Sequence, residues 1–284
     1  MKNAKFGTAG AGDLFYAKGY KNSENVPEFL ASMGLNVFEY QCGRGVRMKG
    51  EKAKLLGENA KKHNISLSIH APYYISLTTA DKDKQENNFR YLKETAHIAK
   101  IMEATRIVFH PGSVSKGLDR EDAFEIAYNA LKKIIDRLNS QGYSDIIFCP
   151  ETMGKINQLG DLDETLRFCK ISENMIPCID FGHLNSRMQG ALNSANDFEN
   201  IFHKVAEKLG EDKAKIVHCH FSKIEYGKGG EKKHLTFADN QYGPDFEPLV
   251  EVLIKKGYTP TIICESAGTQ AEDARAMLDY YNSK

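Results

Sequence analysis

The stretch Cys178-Ile179-Asp180-Phe181-Gly182-His183 follows Pro177 and is a short apolar run that ends in an acid and a base. This composition predicts a β-strand, Pro177–His183, with Asp180 and His183 where the strand passes into a loop. A carboxylate and an imidazole placed together at such a point can hold a divalent metal ion. If the chain has a metal site here, other strands should end in side chains of the same kind.

Seven other short runs have the same β-type composition. Several are apolar nearly throughout, as in Ile107-Val108-Phe109, which is typical of strands buried on both faces of a parallel sheet. The seven runs are Ala4–Thr8, Leu35–Gln41, Ser66–His70, Arg106–His110, Asp145–Glu151, Lys215–Ser222 and Thr261–Glu265.

Between these runs, apolar residues recur at helical spacing. The predicted helices are Pro27–Met33, Glu51–Lys62, Asn87–Glu103, Arg120–Asn139, Leu162–Cys169, Asp197–Leu209, Phe246–Lys256 and Ala271–Tyr281. Repeated β-then-α units predict an α/β fold, a (β/α)8 TIM barrel, as a single domain over residues 1–284. A doubly wound open sheet is the alternative, but Gly7-Thr-Ala-Gly10-Ala-Gly12 matches its phosphate-binding loop poorly.

The composition limits the partners and the location that we expect for this protein. Lys plus Arg and Asp plus Glu each number 38, so overall charge does not favour nucleic acid, although a local basic rim is enough to bind phosphates. The sequence contains no apolar stretch of about 20 residues, and its start has no signal-peptide core. We therefore expect a cytoplasmic protein, a monomer, with no membrane partner. The six cysteines have no C-x-x-C spacing, which predicts buried thiols.

The strand ends carry the candidate chemistry. Six consecutive predicted strands end in or carry histidines and acids: His70, His110, Glu151, Asp180 with His183, His218 with His220, and Glu265. Buried carboxylates directed at one place repel each other unless cations lie between them, so the set predicts a metal site. The ligands outnumber those of one ion and predict two or three. A histidine-rich set favours Zn²⁺, with Mn²⁺ or Fe²⁺ as alternatives, over Mg²⁺ and Ca²⁺.

Several short motifs at these strand ends resemble the endonuclease IV family of abasic-site endonucleases, in family order and over essentially the whole chain. They are Ser68-Ile-His70-Ala-Pro-Tyr73, Phe109-His110-Pro-Gly-Ser113, Glu151-Thr-Met-Gly154, Cys178-Ile-Asp180-Phe-Gly-His183 and Cys264-Glu265. The resemblance implies a TIM barrel that uses zinc, about three ions, in base excision repair. Such an enzyme hydrolyses double-stranded DNA 5′ to abasic sites and leaves a 3′-hydroxyl.

The resemblance also implies roles for individual residues. His70 and His110 would hold a first ion, a bridging Glu151 would reach a second ion with Asp180, His218 and Glu265, and His183 would hold a third with Glu231 and His234. Glu151 and Glu265 would be catalytic. Tyr73 would insert into the DNA.

Three segments depart from the family pattern. After the second strand the family has an Asn-x-Arg segment that contacts DNA, and here we expect Arg44 of Cys42-Gly-Arg44-Gly-Val-Arg47 to contact phosphate in its place. The long loop Lys223–Pro244 has Glu231-Lys-Lys-His234 where the family has Asp-x-His. The seventh strand has His218-Cys-His220 where the family has His-x-Asn-Asp, and both histidines share a face by the two-residue period. The position of Lys223 favours His218 as the ligand and leaves His220 as the alternative.

Two other functions remain open on the sequence. Sugar isomerases and epimerases of the xylose-isomerase-like group also gather histidines and acids at strand ends, and Glu151 with Glu265 would then transfer protons. A metal-stabilised scaffold that binds DNA or protein without catalysis is the other. Metal content separates the nuclease from the isomerase, because about three ions favour the nuclease and one ion favours the isomerase.

Overall fold

The computed structural model describes residues 4–284, so the first three residues of the predicted domain lie outside the described part. The strands are β1 (Lys5–Ala9), β2 (Val37–Gln41), β3 (Ser66–His70), β4 (Arg106–Phe109), β5 (Ile147–Pro150), β6 (Cys178–Asp180), β7 (His218–Phe221), β8 (Ile224–Gly227), β9 (Gly230–His234) and β10 (Thr261–Cys264). All eight predicted strands are present, and β8 with β9 adds a hairpin.

The helices are α1 (Gly12–Ala17), α2 (Val26–Ser32), α3 (Gly50–Lys62), α4 (Lys82–Ile101), α5 (Arg120–Leu138), α6 (Leu162–Phe168), α7 (Phe181–Arg187), α8 (Ala195–Leu209), α9 (Glu211–Lys215), α10 (Glu247–Lys256) and α11 (Gln270–Ser283). All eight predicted helices are confirmed. Several begin at acidic caps; Asp81 and Asp119, for example, accept hydrogen bonds from the first backbone amides of α4 and α5. Within residues 4–284, no helix has the length and apolar character needed to cross a membrane.

Eight of the strands form a parallel sheet in the order β5-β4-β3-β2-β1-β10-β7-β6. The sheet closes between its two ends, where Glu151 bridges to Cys178 and the amide of Thr152 donates to the Cys178 carbonyl at 3.0 Å. The predicted TIM barrel is therefore confirmed, and all strands present their carboxyl ends to one rim.

The main core lies between the strands and the surrounding helices. Alternation along β2 sends Phe38 into this core and turns Val37 and Glu39 to the opposite face. Val37 packs there in a small cluster with Ala9 and Ile263. The interior of the barrel is thus apolar at one level and polar at the next, and the polar level lies towards the carboxyl ends.

Two segments differ from expectation. The predicted strand Pro177–His183 ends at Asp180, because its Oδ1 accepts the backbone amide of His183 at 2.7 Å and caps α7. His183 therefore lies in the first turn of a helix. The predicted loop Lys223–Pro244 contains the antiparallel hairpin β8–β9, which Gly227-Lys228-Gly229-Gly230 turns back on itself.

Candidate metal centre

One buried carboxylate lies at the middle of the predicted site. Glu151 follows β5, and its Oε2 lies 3.0 Å from His70 Nε2 and 3.1 Å from His110 Nε2. Its Oε1 lies 3.1 Å from His183 Nδ1 and 3.5 Å from His220 Nδ1. Four imidazoles from four different segments therefore converge on a single acid, as expected for a carboxylate shared between ions.

A second group forms where β5, β6, β7 and β10 end. His220 Nδ1 lies 3.5 Å from Glu265 Oε2, and one donor atom from each of Glu151, Asp180, His220 and Glu265 falls within 4.8 Å of the others. Three of these residues are fully buried, whereas the Glu265 side chain is 15% exposed. The group can surround one divalent ion and still opens towards the rim.

The hairpin β8–β9 completes a third group. His183 Nε2 lies 3.4 Å from Glu231 Oε2, and the rings of His183 and His234 are 5.6 Å apart. The hairpin approaches closely because Gly154 has no side chain: a Cβ there would lie 2.6 Å from the Cβ of Glu231. The predicted ligands Glu231 and His234 are thus brought to His183.

Three of the histidines are oriented by a second hydrogen-bond partner. His70 Nδ1 lies 2.8 Å from the Ala71 carbonyl, and His183 Nδ1 lies 2.9 Å from the carbonyl of Thr152. His234 Nδ1 lies 2.8 Å from Ser222 Oγ. In His70 and His183 the other ring nitrogen is directed at the acids of the site, where it can serve as a metal ligand. The two carbonyl partners also fix the tautomer of a neutral ring, because a carbonyl can only accept.

Several buried polar atoms in the site lack partners among the described residues. Asp180 Oδ2 and His220 Nδ1 make no hydrogen bond of acceptable geometry. An unsatisfied buried polar atom costs about 1–3 kcal/mol. Divalent cations between these donors would remove that cost, and the mixture of imidazole and carboxylate suits zinc and its neighbours. The residues therefore fit the predicted metal.

The electrostatics point the same way. Burial favours the neutral form of Glu151, but the His110 and His220 imidazoles hold the pKa of this carboxyl well below its usual value. Burial likewise opposes the charge on His183, yet the Asp180 and Glu151 carboxylates raise its pKa well above the usual value. In the absence of metal, protons on the imidazoles balance the acids, so metal binding should release protons.

The structure brings His220, not His218, to the Glu265 group, and the prediction of His218 is corrected on this point. The register of β6 and β7 is the reason, because Asp180 pairs with His220 whereas His218 pairs one level lower with Cys178. His218 Nε2 instead lies 2.9 Å from Glu39 Oε2. Burial lowers the pKa of the His218 ring to about 4.

Sequence reasoning missed Glu39, which lies in β2 and is fully buried. Its carboxylate contacts His218, His220 and Ser68. Although burial opposes the charge, the His220 and His218 rings hold the pKa of Glu39 well below its usual value. The signal was present, because an acid on the inner face of a strand in a closed parallel barrel requires a buried partner.

The two predicted DNA-contact residues lie beside each other at the rim. Tyr73 is 54% exposed, and its ring stacks at a centroid distance of 6.4 Å from His110. Its backbone amide donates to the Gly43 carbonyl at 3.3 Å, which places the exposed Arg44 next to it. The aromatic ring of Tyr73 therefore borders the candidate metal centre on the His110 side, and the loop that carries Arg44 runs beside it.

Two relatives match this chain over most of their length. An uncharacterized protein of Methanocaldococcus jannaschii is 35% identical over 285 residues, which cover 98% of this chain and 96% of that protein. A probable endonuclease 4 of Ureaplasma urealyticum serovar 10 is 26% identical over 270 residues, 88% of this chain and 83% of that protein.

Two solved structures have the same fold. Endonuclease IV from Thermus thermophilus superposes with a TM-score of 0.69 at 17% identity, covering 99% of this chain and 100% of that one. A D-tagatose 3-epimerase-like protein superposes with a TM-score of 0.71 at 18% identity, covering 98% and 97%. At these identities the likeness shows the fold alone. The model of the xylose isomerase-like TIM barrel family matches residues 27–283, and the chain belongs to that family.

Proposed function

We propose that this protein is a metal-dependent DNA-repair phosphodiesterase, which hydrolyses double-stranded DNA 5′ to abasic sites. It would use about three divalent ions, and Zn²⁺ is the ion that we expect. The observation that carries the proposal is the set of three contiguous ligand groups around Glu151 and His183. An enzyme with a single ion would leave the imidazoles of His70 and His110 and the donors of the hairpin without a metal. A phosphodiesterase would use all three ligand groups, because multi-metal sites suit in-line displacement at phosphorus.

The ions would be held by nine residues of the chain, namely His70, His110, Glu151, Asp180, His183, His220, Glu231, His234 and Glu265. Bound divalent ions would neutralise the attacked phosphate and lower the pKa of water. The partial exposure of His110 and Glu265, 21% and 15% of their side chains, leaves room for a phosphate at the rim.

The rim would recognise the lesion. Tyr73 can stack on a base at the gap that an abasic site leaves, and Arg44 can pair with a backbone phosphate. The Tyr73 ring lies beside His110, and the loop that carries Arg44 is hydrogen-bonded to Tyr73, so the DNA would cross the rim there.

The alternative is a metal-dependent sugar isomerase or epimerase. One observation favours it: Glu151, Asp180, His220 and Glu265 form a complete four-residue ligand group without the others. In such an enzyme Glu151 and Glu265 would transfer protons. Against this role, Glu151 already faces His70, His110 and His183 at 3.0–3.1 Å, which leaves it little freedom to exchange a proton.

The direct test is cleavage of a DNA duplex that contains a tetrahydrofuran abasic analogue, with the metal content measured on the same sample. We expect a cut 5′ to the lesion with a 3′-hydroxyl product, no cut in the same duplex without the lesion, and about three ions per chain. Glu265→Gln should be folded and inactive. An intact lesion duplex with fully zinc- or manganese-loaded protein, beside an active control enzyme, would overturn the proposal; one ion and epimerised sugar would establish the alternative.

A pair of adjacent tyrosines tests the DNA role separately from the metal. Tyr73→Ala should weaken binding of abasic duplex by about 1–3 kcal/mol, roughly 5- to 150-fold, because stacking on the base is lost. Tyr74→Ala is the matched control, since Tyr74 is 53% exposed but its ring lies 6.3 Å from Tyr91 instead of beside His110. Equal affinities of the two variants, with unchanged metal content, would refute the role of Tyr73.

A further inference from the structure

A buried acid lies directly behind the β7 ligand, on the side away from the rim. Glu39 Oε1 lies 2.9 Å from His220 Nε2, and Glu39 Oε2 lies 2.9 Å from His218 Nε2. Ser68 Oγ donates to Oε2 at 2.8 Å, and Gln41 Nε2 donates to Oε1 at 3.2 Å. No solvent reaches this carboxylate, so these side chains alone keep it ionised.

The hydrogen atoms on His218 can be assigned from its neighbours. The guanidinium of Arg106 lies 3.5 Å from His218 Nδ1, and it also donates to the Ile216 carbonyl at 2.9 Å. A guanidinium has only donors, so Nδ1 of His218 must be the acceptor. The proton of a neutral ring is then on Nε2, where it is donated to Glu39. His218 thus fixes one oxygen of the carboxylate and leaves the other for His220.

The same reasoning assigns the tautomer of His220. Its Nε2 lies 2.9 Å from Glu39 Oε1, although its N–H direction departs too far from that oxygen for an aligned hydrogen bond. Two lone pairs at that distance would repel, so Nε2 carries the hydrogen. In the neutral ring, Nδ1 then presents a lone pair to the space between Glu151 Oε1 and Glu265 Oε2, each 3.5 Å away. A lone pair in this direction is what a metal ligand needs.

We propose that Glu39 is a positioning residue, which orients His220 and strengthens it as the ligand of the ion held with Glu151, Asp180 and Glu265. The inference rests on the metal centre of the proposed function. His220 differs from the other ligands because the carboxylate behind it is not itself one of the ligands. His70 and His234 face a neutral carbonyl or hydroxyl there, and His183 Nδ1 faces the ligands Glu151 and Asp180 beside the Thr152 carbonyl. A carboxylate behind an imidazole raises its basicity towards a metal.

The test is the substitution Glu39→Gln, which keeps the shape of the side chain and removes its charge. Release of Zn²⁺ to a chromophoric chelator is measured, together with the visible absorption of the Co²⁺-loaded protein. We expect one ion per chain to be bound about 10–100-fold more weakly, with the others unchanged. Ser68→Ala is the matched control, because it removes a hydrogen bond from Oε2 and leaves Oε1 against His220. It should shift the release curve less than Glu39→Gln.

A wild-type measurement covers the case in which Glu39→Gln fails to fold. In zinc-loaded protein labelled with ¹⁵N-histidine, we expect a ring proton on His220 Nε2 that is protected from exchange, assigned by its loss in His220→Gln. A proton on Nδ1 instead, or identical zinc release curves for the wild type and Glu39→Gln, would overturn the proposal. Neither measurement involves DNA, so a chain that binds metal and leaves abasic DNA intact refutes the proposed function and not this inference.

Discussion

The metal centre has two halves that are built differently. The strand-borne half consists of residues that lie at or just after the ends of barrel strands and are mostly buried, namely His70, His110, Glu151, Asp180, His183, His220 and Glu265. The hairpin-borne half consists of Glu231 and His234 on β9, which are partly exposed. The first half is fixed by the same sheet that defines the fold, whereas the second depends on how an added hairpin docks.

The hairpin docks against α7 and the segment that follows β5, and Gln189 Nε2 of the turn after α7 donates to the Gly227 carbonyl at 2.9 Å. The amide of Glu231 donates to the Gly154 carbonyl at 3.2 Å, and the amide of Ile156 donates to the Gly229 carbonyl at 3.1 Å. A two-stranded hairpin has little stability of its own. We therefore expect the third ion to bind more weakly than the ions of the strand-borne half. The predictions that follow test this difference, beginning with the largest effect.

Glu151→Gln should destroy the strand-borne half. This side chain is shared by the imidazoles of His70, His110, His183 and His220, so its neutralisation weakens several metal contacts at once. The loss of abasic-site cleavage should exceed the roughly 10–100-fold typical of a residue that only supports a ligand. The measurement is kcat/KM together with metal content. Near wild-type activity in this variant would show that Glu151 does not hold the ions.

Glu231→Gln should remove one ion per chain and leave the others in place, because only the hairpin-borne half loses a ligand. Glu225→Gln is the matched control, since Glu225 lies on β8 of the same hairpin but pairs with Lys232 and Lys233 at 3.3 Å. Metal analysis after dialysis against a weak chelator distinguishes the two variants. Equal metal contents would mean that the hairpin does not contribute a ligand.

Ser222→Ala should have the smallest effect. The hydroxyl of Ser222 is the group that orients His234 through Nδ1, while the strand-borne His70 is oriented by a backbone carbonyl that no substitution removes. We expect about tenfold weaker binding of the third ion only. A chelator titration that shows loss of an ion from the strand-borne half instead would contradict the division into two halves.

Much of the fold was predictable because each strand is a short apolar run with a helical pattern after it. The run Ser66–His70 predicted β3 with the correct limits, since Ala71-Pro72 ends it. The run from Pro177 predicts a strand that continues to His183, beyond the end of β6 at Asp180, because Phe181 and Gly182 continue its apolar composition. Only the capping contact from Asp180 to the His183 amide reveals that a helix begins there.

The sequence predicts which residues form the candidate site better than it predicts the level of the barrel at which each residue lies. Period-two alternation places His218 and His220 on the same face, but the level of each along the barrel depends on its register against β6. Register is a property of the assembled sheet, so the sequence of β7 alone could not separate the two. Glu39 was missed for a related reason, because its partners are 29 and 179 residues away in sequence.

The paired histidines of β7 have a consequence for how such a centre can change. Residues two apart on a strand lie about 6.6 Å apart along it, which divides the inside of the barrel into stacked tiers. His220 occupies the upper tier with Asp180, and His218 occupies the lower tier with Cys178. A one-residue change in register would turn both histidines out of the barrel. A change in the neighbouring acids, in contrast, could make either histidine the metal ligand while the strand stays in place.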